Sequence, residues 1–333
     1  MTNRFLQLLQ DKPTLVADGA MGTNLFKLGL QTGDAPELWN VDEPEKIKTV
    51  YKNFVDAGSD IILTNSFGGT EFRLKLHNAQ DRVIELNKAA AQLAREVADA
   101  SGREVAVAGS MGPSGELLAP LGALTEEDAV KAFALQAEGL KQGGADVLWV
   151  ETMSSIEEAS CALKGAQSVG LPIVCTMTFD TAGKTMMGVT PEQAGQLLPA
   201  LEAKPVAIGA NCGVGPTDTM LSIMAIKKAN PDAIIISKAN CGIPKYENGE
   251  FVFTGTPELM GEYAKIAVDV GVKVIGGCCG SSPEVVKAIS DAIKDYTPQP
   301  IDEARLIATL GEPVNEMPKP DTDKPARRSR RRD

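Results

Sequence analysis

Short runs of apolar residues alternate along the chain with longer segments that have a helical periodicity. The apolar runs are continuous, which is typical of strands in a parallel sheet whose two faces are both covered. Each run ends in a loop that leads into an amphipathic segment. Eight strands are therefore predicted, at residues 14–18, 60–64, 104–108, 146–150, 172–178, 206–210, 233–238 and 273–275.

The segments between the predicted strands carry recognisable helix ends. Thr125 precedes three acidic residues, which is a strong signal for a helix N-terminus, and Gly143-Gly144 ends the same helix. The predicted helices span residues 45–57, 81–100, 125–143, 155–169, 191–203, 217–229, 257–270 and 283–293.

Eight strand–helix units close naturally into a (β/α)8 TIM barrel. The alternative, an open doubly wound sheet, requires a GxGxxG fingerprint after the first strand, and residues 18–23 (DGAMGT) lack it. We therefore predict a single α/β barrel domain over residues 1–297. The extension 298–333 is predicted to be disordered at least from Pro313, because it is rich in Pro, Asp and Lys and ends in a basic arginine cluster.

The charge balance and hydropathy exclude several function classes. With 33 basic and 44 acidic residues the formal net charge is −11, which argues against nucleic acid as the main partner. No apolar run approaches the roughly 18 residues of a membrane span. The first residues include Asp11 and Lys12 and lack the apolar core of a signal peptide, so a cytoplasmic location is expected.

The six cysteines suggest metal binding or catalysis rather than disulfide bonding. Cys278 and Cys279 are adjacent and are poor disulfide partners for each other, and a long chain without a signal peptide is expected to stay reduced. Cys161 lies in a helical pattern and Cys175 in a strand, so both are predicted to be core residues. Cys241 lies near a strand end and is predicted to be a bystander.

Three cysteines follow strands that are close neighbours in a barrel. Active sites of TIM barrels lie at the C-terminal strand ends. Cys212 follows the sixth predicted strand, whereas Cys278 and Cys279 follow the eighth, one strand away. Three thiolates with a fourth position open are typical of a catalytic zinc site. The alternative is that these are small buried residues, since free cysteine is often found in cores.

Other polar residues at strand ends are candidates for contacting the substrate: Asp18, Asn65, Ser110, Glu151 and Asn240. Each also has a structural interpretation. Glu151 would be favoured at a helix N-terminus, Asp18 could cap a loop, and Asn65 and Ser110 could brace turns. His77, the single histidine, is predicted to lie on the surface, so catalysis by histidine is not expected.

Two cysteine motifs identify a resemblance. Residues 211–213 (NCG) and 276–280 (GGCCG), each after a strand, resemble the homocysteine S-methyltransferase family. This family includes betaine–homocysteine methyltransferases and the homocysteine module of cobalamin-dependent methionine synthase. The resemblance runs from about residue 14 to 293 and takes in residues 18–23, 64–68, 112–117 and 150–152.

The resemblance implies roles for individual residues. The implied zinc ligands are Cys212, Cys278 and Cys279. Glu151 matches a carboxylate that receives the α-ammonium of homocysteine, and Asp18 and Gly19 match a loop that lies against the amino-acid end of the substrate. Asn240 resembles a position that can complete the zinc shell before the substrate arrives. The expected activity is zinc-dependent methylation of homocysteine to methionine.

The methyl donor is expected to be betaine, although the sequence leaves alternatives open. Quaternary ammonium groups are usually held by aromatic faces, and Trp39, Phe67 and Phe72 are candidate walls. The animal betaine enzymes have a tyrosine where this chain has Gly68 or Gly69. Alternatives are a methylcorrinoid protein, as the partner in a split methionine synthase, and a sulfonium compound.

Two other classes of function are also considered. The chain could be a non-catalytic zinc- or thiol-binding component of an assembly. It could also be an aldolase-type barrel, for which Lys238 is the only lysine near a strand end, but the three cysteines would then have no purpose.

Overall fold

Ten strands define the architecture of the computed structural model, which describes residues 3–247 and 250–315. They are β1 Leu15–Val16, β2 Ile61–Leu63, β3 Ala106–Met111, β4 Val147–Met153, β5 Ile173–Met177, β6 Ala207–Cys212, β7 Ile235–Ala239, β8 Pro244–Glu247, β9 Glu250–Phe253 and β10 Val274–Gly277. Eight of them form one parallel sheet, in the order β1-β10-β7-β6-β5-β4-β3-β2. The other two, β8 and β9, pair as an antiparallel hairpin.

The sheet closes between its first and last strands, as predicted for a TIM barrel. Ala17 and Ile61 form a parallel bridge between the edges of β1 and β2. The backbone N–H of Asp60 also donates to the carbonyl of Val16 at 2.7 Å. The predicted strand order around the barrel is therefore confirmed.

The helices cover the outside of the barrel. They are α1 Arg4–Asp11, α2 Met21–Lys27, α3 Trp39–Asp42, α4 Pro44–Asp56, α5 Glu71–Leu74, α6 Val83–Ala100, α7 Glu126–Gln142, α8 Ile156–Gln167, α9 Pro191–Leu197, α10 Pro216–Ala229, α11 Pro257–Val270, α12 Pro283–Ile293 and α13 Glu303–Leu310. Thr125 caps α7 by accepting from the backbone of Asp128, as its position predicted. None of the described helices is long and apolar enough to cross a membrane.

Successive strand residues alternate between the barrel interior and the helical layer. Leu15, Ile61, Trp149 and Ile236 belong to the inner core, which α1 contacts through Phe5. The intervening strand residues belong to the outer core, including Val16, Ile62, Leu148, Cys175 and Ile208. Both faces of each strand are therefore buried, which explains the continuous apolar runs in the sequence.

The same alternation places polar residues above the inner core. Two positions beyond the inner apolar residues, or four on β6, buried polar side chains lie towards the C-terminal strand ends: Ser110, Glu151, Thr176, Asn211 and Lys238. Because strand side chains repeat with a period of two, all five point into the barrel. The barrel interior is thus apolar towards the N-terminal ends of the strands and polar at their C-terminal ends, where TIM-barrel active sites lie.

Several element boundaries differ from the predictions. The helix predicted to reach residue 203 is α9, which ends at Leu197 and continues only as a 3-10 turn, Leu198–Ala200. Pro199 lies in that turn, and proline cannot donate the backbone hydrogen bond that would extend a helix. The predictions also omitted α1, α2, the β8–β9 hairpin and α13.

The chain after the barrel packs back against α10. Leu306 and Leu310 of α13 are buried. The backbone N–H groups of Val314 and Asn315 donate to the carboxylate of Asp218 at 2.9 and 2.8 Å. Residues 313–315, within the segment predicted to be disordered, therefore contact the barrel. The rest of that predicted segment, 316–333, lies outside the described residues.

Candidate active site

A cavity of about 430 Å³ lies at the C-terminal ends of the barrel strands. It brings together most of the residues that the sequence singled out: Asp18, Gly19, Asn65, Ser110, Glu151, Cys212, Cys278 and Cys279. Trp39 and Asn240 are not among the described residues that line it. The strand-end prediction therefore locates one site rather than scattered structural residues.

Three cysteine sulfurs meet at this cavity. The Sγ atoms of Cys212, Cys278 and Cys279 all lie within 4.8 Å of one another, and those of Cys212 and Cys279 are 4.0 Å apart. A tetrahedral zinc site with bonds of roughly 2.3 Å places its sulfurs about 3.8 Å apart. Within the described part of the chain this is the single cluster of potential metal ligands. The donor set and its spacing fit a zinc ion.

The backbone at β6 and β10 holds the thiols in place. Cys212 has a φ of +65°, which is uncommon for a residue with a side chain and is typical of functional sites. At the other strand, the N–H of Cys278 donates to Ala239 at 2.7 Å, and the carbonyl of Cys279 accepts from Cys241 at 2.9 Å. These two bonds to the chain at and just after β7 fix adjacent cysteines on one side of the cavity.

A glycine permits this turn after β10. A Cβ atom on Gly277 would lie 2.2 Å from the Oγ of Ser281, closer than atoms can approach. Any other residue at this position would push the cysteine loop away from the barrel. Close packing against Ser281 therefore explains Gly277 of the GGCCG motif.

Without a bound cation, the surroundings of the three cysteines favour the protonated thiols over the thiolates. The neighbouring thiol of Cys278 lowers the pKa of Cys212, but Cys279 and burial outweigh it and raise that pKa to about 12. The Cys212 thiol raises the pKa of Cys278, and burial raises it further. Three thiolates would therefore require a bound cation, which is the behaviour of metal ligands.

Asn240 lies beside the cluster rather than in the cavity wall. Its Nδ2 donates to the carbonyl of Gly213 at 2.6 Å. Its Oδ1 is buried and has no hydrogen-bond partner among the described residues. A buried acceptor without a partner is costly, and a metal ion would satisfy it. This observation supports the hypothesis that Asn240 completes the metal shell.

Glu151 projects into the cavity from β4 and lacks a counter-cation. Its Oε1 accepts a 2.5 Å hydrogen bond from Ser110 Oγ. No cationic side chain among the described residues lies within 4.0 Å of it. Burial raises the pKa of Glu151, while Lys238 and Ser110 partly offset the effect. Ser110 thus orients this carboxylate, which is a more specific role than the one predicted for it.

Asn211 is a site residue that sequence reasoning missed. Its Oδ1 accepts from the backbone of Thr152 at 2.8 Å and from Thr176 Oγ1 at 2.7 Å. Its Nδ2 donates to Thr152 Oγ1 at 2.7 Å and lies 3.5 Å from Glu151 Oε2 and 3.8 Å from Cys278 Sγ. Asn211 therefore links the carboxylate to the cysteine cluster. Its position directly before Cys212 in the NCG motif was the feature of the sequence that could have identified it as a site residue.

Asn211 also stabilises an irregular backbone beside Glu151. Thr152 has a φ of +61°, and the pairing of β4 with β5 shifts register between Val150 and Met153. A β-branched residue is strained in this conformation, and the two bonds from Asn211 to Thr152 compensate. Glu151 already faces the cavity by strand alternation, and the shift beside it returns Met153 to the outer core.

Asp18 is paired with a buried lysine. Its Oδ1 accepts from Lys238 Nζ at 2.6 Å and its Oδ2 accepts from the backbone of Leu63 at 2.7 Å. Both side chains of the ion pair are 3% exposed. Burial lowers the pKa of Lys238, but the carboxylates of Asp18 and Glu151 outweigh that effect and raise it. Lys238 was considered only as an aldolase lysine, so this ion pair was not predicted.

Two of the predicted substrate contacts have structural partners. Asn65 donates through Nδ2 to the carbonyl of Pro36 at 2.7 Å and to Asn40 Oδ1 at 3.0 Å, so its amide braces the first loop at the cavity wall. Trp39 packs against the outer hydrophobic core, and Lys46 Nζ lies 4.4 Å from its ring centroid. The structure does not bring Trp39 to the cavity as a donor-binding wall, because α3 directs its ring towards α4.

The outer part of the cavity contains charged and aromatic groups. Glu37 is buried, and its Oε1 accepts from the backbone of Gly68 at 2.7 Å. Phe67 is 39% exposed and lines the opening together with Arg73 and His77. His77, predicted to be a surface residue, is partly exposed at this rim. The rim can therefore contact both cationic and anionic groups of a small molecule.

Comparisons with known proteins identify relatives of this chain. The sequence model described as Homocysteine S-methyltransferase matches residues 15–293. Methionine synthases of Mycobacterium tuberculosis and Mycobacterium leprae are 29% and 28% identical over 297 residues, which cover 84% of this chain. The match covers only 24% of the length of each of these relatives.

A solved structure shows the same fold. The metallated form of the homocysteine methyltransferase MmuM from Escherichia coli superposes with a TM-score of 0.71 at 23% identity, covering 87% of this chain and 99% of the other. Because the family match alone takes in residues 15–293, well over half of the chain, the protein belongs to the homocysteine S-methyltransferase family.

Proposed function

We propose that this protein is a zinc-dependent methyltransferase that transfers a methyl group to the sulfur of homocysteine and forms methionine. The observation that carries this proposal is the convergence of three thiols with Glu151, a buried carboxylate without a counter-cation, in one cavity. The three cysteines suit a metal with one open position, and the carboxylate suits an amino acid's ammonium.

The chain's own residues would bind and orient homocysteine. Glu151, held by Ser110, receives the α-ammonium. Asn211 lies between Glu151 and the sulfur of Cys278, so it sets their relative position. The nitrogen and sulfur of an extended homocysteine are roughly 5 Å apart, a length suited to reaching from the carboxylate to the cysteine cluster. A zinc ion bound there would supply a lower pKa for the substrate thiol, and hence a thiolate at neutral pH.

The transfer is a displacement at a methyl carbon. The homocysteine thiol loses its proton, and a sulfur electron pair forms a bond to the methyl carbon. The bond from that carbon to the donor's nitrogen breaks, and its electron pair stays on nitrogen, which takes up a proton from water in place of the one that the thiol released. With betaine as donor, the products are methionine and dimethylglycine. The barrel contributes by holding both reactants in line, which replaces a bimolecular encounter.

Betaine is the donor that we propose, on the basis of the outer cavity. It is a small zwitterion with a quaternary ammonium and a carboxylate. The Phe67 ring and the buried Glu37 carboxylate provide favourable contacts for the ammonium. Arg73 and His77 at the rim provide contacts for the carboxylate. A sulfonium amino acid carries the same pair of charges and is the nearest small-molecule competitor.

The first test is methionine formation by the purified full-length chain with zinc, reductant, homocysteine and betaine. Turnover would support a self-sufficient enzyme, and it would contradict the alternative of a non-catalytic thiol-binding component. No turnover with betaine or with a sulfonium donor, in protein that retains zinc, would overturn the small-donor proposal.

A methylcorrinoid protein is the second candidate donor, and one observation favours it. Large apolar side chains are exposed in the loops and short helices that follow several strand ends, including Phe26, Leu76, Leu121, Met186 and Ile243. Exposed apolar surface around a site is typical of protein docking. Methylcobalamin, supplied free and then on a carrier protein, would test this donor if small donors fail.

Replacing Phe67 by alanine is expected to raise the KM for betaine by about tenfold, because an aromatic–cation contact is worth up to about 2 kcal/mol when desolvated. Trp39→Ala is the matched control: its ring lies outside the cavity, so the KM for betaine should stay within about twofold. Initial rates at saturating homocysteine measure both values. An unchanged KM in Phe67→Ala would remove this ring from the donor site.

A further inference from the structure

Lys238 is a buried cation in the wall of the catalytic cavity that the proposed reaction does not yet use. It projects from β7 into the barrel, where its Nζ donates to Asp18 Oδ1 at 2.6 Å. It also lies 5.7 Å from the ring centroid of Trp149 in the inner core. In register, Lys238 pairs with Asn211 on β6 and with Gly276 on β10. It is therefore surrounded by the residues that build the site.

The two carboxylates at the strand ends differ in their partners: one is paired with a cation and the other is not. Three buried carboxylates line the cavity: Glu37 in its outer part, and Asp18 and Glu151 at the strand ends beside one ammonium, Lys238. Asp18 is fully engaged, because one oxygen accepts from Lys238 and the other from the backbone of Leu63. Glu151 accepts from neutral groups, Ser110 and Asn211. At the strand ends, one negative charge is therefore left for a ligand, and it is located on Glu151.

We propose that Lys238 is a positioning residue, which neutralises Asp18 so that, of the two carboxylates at the strand ends, only Glu151 is able to receive the ammonium of homocysteine. This inference rests on the proposed function, and it adds a reason why the amino acid binds in one orientation. With Lys238 present, the ammonium has one anionic partner. Without it, Asp18 and Glu151 would compete for the same cation, and the thiol would no longer be held towards the cysteine cluster.

The location of the ion pair favours positioning over direct contact with the substrate. Lys238 and Asp18 are each 3% exposed at their side chains, so the ion pair forms part of the wall. Removing one member of a buried ion pair leaves an uncompensated charge, whereas removing both is far less costly. This asymmetry provides a way to separate the charge of Lys238 from its contribution to packing.

The test compares Lys238→Met, Lys238→Arg and the double variant Asp18→Asn/Lys238→Met in the full chain with zinc. Lys238→Met is expected to raise the KM for homocysteine on the order of 10- to 100-fold, with a smaller change in the KM for the methyl donor. The arginine variant keeps the charge and should recover part of the loss. The double variant removes the competing carboxylate of Asp18, so its KM for homocysteine should also return part of the way to the wild-type value.

A thiol without an ammonium group distinguishes positioning from other roles. 4-Mercaptobutyrate is homocysteine without its amino group, so its inhibition constant should be almost the same for Lys238→Met and the wild type. Lys273→Met is the control for the loss of a partly buried lysine, since Lys273 precedes β10 at the opposite end of the barrel and contacts the carbonyl of Lys12. Its KM for homocysteine should be unchanged.

Specific outcomes would overturn the proposal. Equal weakening of homocysteine and 4-mercaptobutyrate in Lys238→Met would show that Lys238 binds the carboxylate or only maintains the fold. An unchanged KM for homocysteine, or a double variant no better than the single one, would show that Asp18 does not compete. Zinc content and melting temperature are measured on every variant. Failure of the wild type to bind homocysteine would instead refute the proposed function.

Discussion

Replacing Cys212, Cys278 or Cys279 by alanine is expected to remove bound zinc and methyl transfer together. Each sulfur lies within 4.8 Å of the other two, so each loss leaves two ligands where a stable catalytic site needs three. Methionine formation should fall by roughly a thousandfold or more, since the substrate thiol loses its activation. Metal analysis of protein purified without chelator and an initial-rate assay measure the two effects.

The remaining cysteines provide matched controls for the loss of a thiol. Cys241 is buried and its backbone bonds to the carbonyl of Cys279, but its sulfur is not part of the cluster. Cys175 is buried in the outer core. Alanine at either position should leave zinc bound at about one per chain. Full zinc retention and activity in Cys278→Ala would contradict the metal site.

The cysteine site could be predicted because barrel geometry converts sequence order into spatial order. Once the strands are counted, residues that follow the sixth and eighth strands must be near neighbours at one end of the barrel. Cys212 and the Cys278-Cys279 pair satisfy that condition in the structure. The continuous apolar runs were sufficient for this step, even though single strand boundaries differ by a few residues.

The partners of the carboxylates could not be predicted from the same pattern. Lys238 lies within the predicted seventh strand, and Asp18 follows the first, 220 positions earlier, so that their ion pair depends on closure of the barrel. The role of Asn211 depends on the positive φ of Thr152 and on the register shift in β4. Backbone irregularities of this kind have no clear signature in the sequence.

Trp39 was predicted to contact the methyl donor, whereas the structure places its ring away from the cavity. Its aromatic ring and its place after the first strand made it a candidate wall for a quaternary ammonium. The loop instead forms α3, and the ring packs against the outer core next to Lys46. An aromatic residue in a loop near an active site is as well suited to packing as to binding, and only the direction of the side chain decides between them.

Replacing Glu151 by glutamine is expected to weaken homocysteine binding without loss of zinc. The amide has the same shape and can still contact Ser110 and Asn211, but it carries no charge to pair with the ammonium. The loss of a buried charge-assisted contact should raise the KM for homocysteine on the order of a hundredfold, with a smaller effect on kcat. Zinc content and the KM for the methyl donor should stay close to the wild-type values.

The pH dependence of the same variant tests the mechanism further. Burial raises the pKa of Glu151 above its ordinary value, so the carboxylate becomes protonated at a higher pH than an exposed glutamate would. Homocysteine binding by the wild type should therefore weaken as the pH falls through that raised pKa, because a neutral carboxyl group no longer pairs with an ammonium. Glu151→Gln cannot titrate, and its KM should lack this component. Parallel pH profiles for the wild type and Glu151→Gln would show that the ammonium is bound elsewhere in the cavity.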